Sequence, residues 1–150
     1  MKIAAGADHA GFAIKDAVVR HLRGQGHKVT DHGATSAAEA VDYPRYAHQV
    51  ARAVQRGEAE RGVLVCGTGL GVCMVANRYR GVRAADCVTP HLAEMSRRHN
   101  DANVLCLGGR LLSADEALAI ADVWMATPFE GGRHQSRVEM IDAAPQDVTP

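Results

Sequence analysis

A chain of 150 residues fits one domain, long enough to bury roughly 70% of the surface its unfolded form exposes. Lysine plus arginine equal aspartate plus glutamate at 17 each, so no global field draws the chain to nucleic acid or to an anionic membrane. No segment approaches the roughly 18 apolar residues of a membrane span, and the four cysteines stand singly, without Cys-x-x-Cys pairs; reduced thiols and a cytoplasmic location are expected.

Residues 3–7 are a short apolar run closed by Asp8-His9-Ala10-Gly11, after which Ile14, Val18 and Leu22 recur four apart on one helical face. This predicts strand, loop and helix. Gly24 and Gly26 end the helix, residues 27–31 predict a second strand, and the polar, alanine-rich stretch 35–42 predicts a loop before Pro44. Tyr46, Val50 and Val54 line one face of a second helix. Val63-Leu64-Val65-Cys66 has the length and β-branched content of a buried third strand, and residues 72–80 predict a helix behind it. Residues 82–87 predict a fourth strand, Thr89-Pro90 opens a helix to about His99, and residues 103–107 predict a fifth strand. Ser113-x-x-Glu116 is a capping box for a helix to about Met125. Past Gly131-Gly132 a last helix carries Arg133 and Arg137, and the tail from about residue 145 is expected to fray. Five strands alternating with helices predict an α/β domain over 1–150, a Rossmann-like three-layer α/β/α fold around a five-stranded parallel sheet.

The residues suited to chemistry gather at strand ends. Cys66 closes the third strand and is followed by Gly67-Thr68-Gly69-Leu70-Gly71, three glycines in five residues. Such a loop turns sharply and presents several N–H groups to a crevice, with the positive end of the next helix behind them. The result is an anion or oxyanion cradle with a thiol at its lip, where the partial positive charge favours thiolate. Ligands of parallel sheets bind at the carboxyl ends of the strands, and Asp8-His9, Cys66-Gly67-Thr68 and Gly108-Gly109-Arg110 follow the first, third and fifth. Arg133 and Arg137, four apart, share a helical face and can clamp a phosphate dianion. Taken singly, each residue also has an ordinary structural reading: Cys66 as a small core residue, Asp8 as a cap, His9 and Arg110 as surface groups, His99 and Asn100 as a helix end.

Two other functions fit parts of the chain. Asp86 ends the fourth strand, about where an acidic residue of a nucleotide-binding module meets a ribose, but Gly-x-Gly-x-Gly departs from the dinucleotide fingerprint and no Walker lysine follows. The doublets Asp8-His9, Asp31-His32 and His99-Asn100 suggest a metal-dependent enzyme, but none has a recognised ligand spacing.

As a set, the motifs are more specific. Gly6-Ala7-Asp8-His9-Ala10-Gly11-Phe12, Asp42-Tyr43-Pro44, Cys66-Gly67-Thr68-Gly69-Leu70-Gly71 with Ala76-Asn77-Arg78, Arg97-Arg98-His99-Asn100-Asp101-Ala102-Asn103-Val104-Leu105 and Glu130-Gly131-Gly132-Arg133-His134-Gln135-x-Arg137-Val138 span nearly the whole chain. They resemble the ribose-5-phosphate isomerase B family, which also holds allose- and galactose-6-phosphate isomerases. The resemblance implies aldose–ketose isomerisation of D-ribose 5-phosphate and D-ribulose 5-phosphate through a cis-enediolate after acid-catalysed ring opening. No metal or cofactor is implied, and a six-carbon sugar phosphate is the alternative substrate. It also implies a homodimer or dimer of dimers with the site at the subunit interface.

The family's base is either a cysteine at the end of strand three or a glutamate just after the glycine loop. Here Cys66 is present and Val72 stands in the glutamate's place. By resemblance Cys66 moves the proton between C1 and C2, the amides of Gly67, Gly69, Leu70 and Gly71 hold the enediolate oxygen, and Thr68 bonds the thiol or the sugar. His99 opens the ring, Asp8 and Asn100 bind hydroxyls, and His9, Arg110, Arg133 and Arg137 surround the phosphate. His91 stands where a tyrosine or another uncharged residue is expected and carries no assigned role. His134 is expected to turn about 100° away from Arg133 on a helix and lies outside this site.

Overall fold

The computed structural model describes residues 1–143. Five strands, β1 (Lys2–Ala7), β2 (Lys28–Asp31), β3 (Arg61–Cys66), β4 (Ala84–Asp86) and β5 (Val104–Gly108), form one parallel sheet in the order β2-β1-β3-β5-β4. The helices are α1 (Phe12–Gly24), α2 (Tyr43–Gln55), α3 (Leu70–Ala76), α4 (Pro90–Asn100), α5 (Ala114–Ala126) and α6 (Gln135–Asp142).

Side chains alternate across a strand, so each strand serves two cores. Ile3, Ala5, Val63, Val65, Leu105 and Leu107 pack against α1, α4 and α5 around the buried Trp124. Ala4, Leu64, Cys66, Val104 and Cys106 face the other way, against α2 and α3. Burial on both faces is why the strands read as continuous apolar runs rather than as alternating ones. The chain leaves β1 toward one face through α1 and leaves β3 toward the other through α3, which opens a crevice between the carboxyl ends of these neighbouring strands.

The elements follow the sequence pattern with three corrections. Helix α3 ends at Ala76 rather than near Arg80, because the Asn77 side chain accepts from the Ala84 amide (2.8 Å) and donates to the Ala84 carbonyl (3.0 Å). β4 holds three residues instead of six: Val82 is spent in a turn on the Tyr79 carbonyl, and the Arg83 amide goes to the Asn103 side chain. Arg133 lies in a 3-10 turn, Gly132–His134, ahead of α6, so Arg133 and Arg137 do not share one regular α-helical face. The capping box at Ser113 is formed as expected, and Thr89 caps α4 by accepting from the Leu92 amide. Among the described residues no helix is long and apolar enough to cross a membrane. The tail expected to fray lies outside the described residues.

Candidate active site

At the carboxyl edge, the loops after β1, β3 and β5 converge. Asp8 is buried and one carboxylate oxygen accepts the Gly11 amide (2.9 Å), which closes the turn into α1. His9 accepts the Val41 amide on Nδ1 (3.1 Å), tying the 35–42 loop to the crevice. An acceptor Nδ1 leaves the proton of a neutral ring on Nε2, where it can donate to an anion. The Cys66 carbonyl accepts the Gly109 amide (2.7 Å) and the Gly67 carbonyl the Arg110 amide (3.0 Å), so the β5 loop brings Arg110 alongside the glycine loop. The Arg110 guanidinium lies over Gly67, 3.5 Å from where a Cβ would stand.

Cys66 is 4% exposed, and the Gly69 amide donates to its sulfur at 3.3 Å. That donor stabilises negative charge on sulfur. It depends on Gly69 having φ +86°, and a Cβ there would stand 2.1 Å from Asp86 Oδ1. The amides of Leu70 and Gly71 open the first turn of α3, where helix N–H groups lack intrahelical acceptors. Thr68 and Leu70 are exposed at the rim. Burial pushes the Cys87 thiol up to about 11 and raises the Cys106 thiol well above its ordinary range, so both stay protonated at neutral pH.

The remaining predicted residues sit elsewhere. α4 runs back against the strand direction, so His99 and Asn100 at its end reach the amino edge of the sheet. There the Asn100 carbonyl accepts from Arg83, which directly precedes β4. The 11 residues of α4 span roughly 16 Å, and that is the scale separating the two groups. Arg133 and Arg137 are exposed beside His99, not beside Cys66. One chain therefore carries the predicted residues in two groups at opposite edges, each half of the predicted set: Asp8, His9, Cys66, Thr68, Arg110 and the glycine loop on one, His99, Asn100, Arg133 and Arg137 on the other.

The amino-edge group includes residues the sequence reading left out. His134 is buried, and its ring stacks on His99 with centroids 4.3 Å apart and planes 9° from parallel. The 3-10 turn, entered through Gly131 at φ +67° and Gly132 at φ +56°, swings His134 inward where an α-helix would have turned it aside. Glu130 pairs with Arg98 (2.8 Å), and its amide donates to the Arg98 carbonyl (3.0 Å). His99, Glu130 and His134 hold ligand atoms within 4.8 Å of one another. Parallel ring planes keep the nitrogen lone pairs from converging, Arg98 occupies Glu130, and Arg133 Nε points at His134 Nε2 (3.4 Å), so the group is poorly shaped for a cation. The metal-site doublets are also otherwise engaged: Asp31 pairs with Lys15 and accepts the Gly33 amide, while Asp8 and His9 have the partners given above. Asp86, the candidate ribose acceptor, turns beneath Gly69 instead of into the crevice.

A family model described as Ribose/Galactose Isomerase matches residues 3–141. The chain belongs to the ribose/galactose isomerase family. It is 49% identical to Ribose-5-phosphate isomerase B of Escherichia coli over 145 residues, 97% of each chain. The Thermotoga maritima ribose 5-phosphate isomerase structure superposes with a TM-score of 0.91 at 50% identity, covering 94% of this chain and 97% of that one. The Mycoplasma genitalium Ribose-5-phosphate isomerase B structure, solved with bound ribulose-5-phosphate, superposes with a TM-score of 0.90 at 39% identity, covering 94% of this chain and 93% of that one. Membership in this family removes the nucleotide-binding alternative.

Proposed function

We propose that the chain interconverts D-ribose 5-phosphate and D-ribulose 5-phosphate in a homodimer whose sites each combine the two half-sites from different subunits. The observation that carries this reading is the Cys66 sulfur, set at the base of the carboxyl-edge crevice with the Gly69 amide directed at it (3.3 Å). The identity to the Escherichia coli enzyme and the ligand in the Mycoplasma genitalium structure support a pentose phosphate. A two-fold axis would bring one chain's amino edge to its partner's carboxyl edge twice over, completing two sites. Exposed Leu70, Met74 and Leu111 around the Cys66 half-site give that contact apolar area to bury. Four free thiols support a reducing, cytoplasmic setting.

In this arrangement the phosphate lies between His9 Nε2 and Arg110 of one subunit and the partner's Arg133 and the partner's Arg137. The partner subunit's His99 gives a proton to the furanose ring oxygen as the anomeric hydroxyl loses one, which frees the aldehyde. Asp8 and the partner's Asn100 hold hydroxyls of the opened sugar. The Cys66 thiolate removes the C2 proton; the electron pair forms the C1–C2 double bond and the negative charge moves to O1, facing the glycine-loop amides. Return of the proton from the Cys66 thiol to C1, with transfer of the C2 hydroxyl proton to the O1 oxyanion, gives the ketose and restores the thiolate. No step calls on a metal or redox cofactor.

The test offers ribose 5-phosphate, allose 6-phosphate and galactose 6-phosphate separately and follows ketose formation. Ribose 5-phosphate is expected to have the highest kcat/KM; a preference for either hexose phosphate would move the substrate to six carbons. Cys66→Ala is expected to lose activity by several orders of magnitude while remaining folded by circular dichroism. Turnover near wild type in that variant would assign the proton transfer to another group.

A further inference from the structure

His134 has no part in the mechanism above, yet it is the side chain most closely fitted to His99. The His99 ring makes no hydrogen bond to any described residue. What orients it is contact: the flat stack on His134, at 4.3 Å and 9°. His134 is itself fixed. It is 4% exposed, Arg133 Nε addresses its Nε2 (3.4 Å), and Glu130 stands 3.9 Å from the same nitrogen. Glu130 is anchored in turn to α4 by Arg98, which also holds Glu94 (3.1 Å). Arg98 and Glu130 thus tie the last turn of α4 to the segment that carries His134.

The geometry points to His134 as a positioning residue for ring opening: it is the platform that sets the direction in which His99 presents its proton to the sugar. This rests on the role of His99 given above. The charged and titratable neighbours agree with a division of labour between the two imidazoles. Burial first, then His99 and Arg133, push the His134 pKa below its ordinary value; Glu130 acts the other way and Arg137 adds to the lowering. Two stacked rings at this distance do not readily both carry positive charge. His134 is thus a poor seat for positive charge.

The test compares wild type, His134→Phe and His134→Leu on two substrates. Ribose 5-phosphate requires ring opening, whereas erythrose 4-phosphate, its terminal oxygen esterified, cannot close a five-membered ring. Misplacing a catalytic group by about 1 Å costs on the order of 100-fold, so His134→Leu is expected to lower kcat on ribose 5-phosphate by roughly 10- to 100-fold, with KM within about twofold. Erythrose 4-phosphate turnover is expected to fall far less. His134→Phe keeps a flat platform and is expected to recover most of kcat. Equal defects in Phe and Leu, or a rise in KM with kcat intact, would overturn the proposal, the second by making His134 a phosphate ligand.

A readout independent of activity separates this idea from the functional reading it rests on. The His99 Cε1–H proton resonance is expected upfield in wild type, from the ring current of His134, and is expected to return toward the free-imidazole position in His134→Leu. An unmoved resonance would remove the platform, whatever the substrate proves to be. Wild-type protein inactive on ribose 5-phosphate but showing the shift would uphold the platform and overturn the substrate assignment.

Discussion

Gly69→Ala strikes the contact on which the proposed Cys66 chemistry depends, and its cost follows from three distances and an angle. A φ of +86° penalises any residue with a Cβ by about 1–2 kcal/mol. The added carbon would stand 2.1 Å from Asp86 Oδ1 and 3.1 Å from the Leu107 carbonyl carbon. The Asp86 carboxylate can swing aside; the β5 backbone cannot, so overpacking adds a further ~1–2 kcal/mol. A total near 3 kcal/mol lowers Tm by roughly 6–12 °C in a chain of this size. The catalytic loss is separate: displacing the Gly69 amide from Sγ (3.3 Å) removes a hydrogen bond to a charged group, about 1.5–3 kcal/mol, or roughly 10- to 100-fold in kcat. Thermal unfolding by circular dichroism and kcat on ribose 5-phosphate measure the two effects. Adding Asp86→Ala is expected to recover part of the Tm but little of the kcat, because φ and the displaced amide remain. Wild-type Tm and kcat in Gly69→Ala would mean that the loop does not hold this conformation and that the sulfur needs no amide.

Asp86 is itself a source of pH-dependent instability. Burial raises its pKa, and Oδ1 has no hydrogen-bond partner among the described residues. A carboxyl whose pKa is raised on folding favours the folded state while protonated, and that advantage is lost as pH climbs from the unfolded value near 3.8 through the raised one. Asp86→Asn is therefore expected to raise Tm at pH 7 by about 2–4 °C, equivalent to ~1 kcal/mol after discounting for partial exposure, and to change little at pH 4; an equal change at both pH values would refute the charge argument. Arg137→Ala is expected to raise KM strongly and also lower kcat, since phosphate binding positions the reacting carbons; unchanged kcat/KM would take Arg137 out of the site.

The sheet, the helix caps and the placing of Cys66 at a strand end before the glycine loop were legible because they are local. Apolar runs such as 63–66, the Thr89 and Ser113 caps and the glycine spacing each act within a few residues. β4 and the end of α3 were misread because side chains of Asn77 and Asn103, distant in sequence from the groups they satisfy, took over the backbone partners. His134 was missed for a related reason: assuming a regular helix from Arg133 turned it outward, and the Gly131-Gly132 signal for a different entry was read only as a break. The separation of His99 from Cys66 had a visible sign. Cys66 follows a strand and His99 precedes one, which in a parallel sheet places them at opposite edges. What no single-chain pattern carries is the surface that a second copy would cover in the proposed dimer.

The shared site is tested most directly by complementation between two inactive variants. Cys66→Ala destroys the carboxyl-edge half-site and His99→Asn the amino-edge half-site. In a two-fold dimer containing one chain of each, one site receives both defects and the other neither. Equal amounts denatured, mixed and refolded together give about half mixed dimers by random pairing, each with one intact site, so roughly one quarter of wild-type activity is expected on ribose 5-phosphate. Each variant refolded alone should stay inactive. A refolded mixture that forms mixed dimers, detected by mass on differently tagged chains, yet remains as inactive as its parents would place Cys66 and His99 of one chain in the same site and contradict the account.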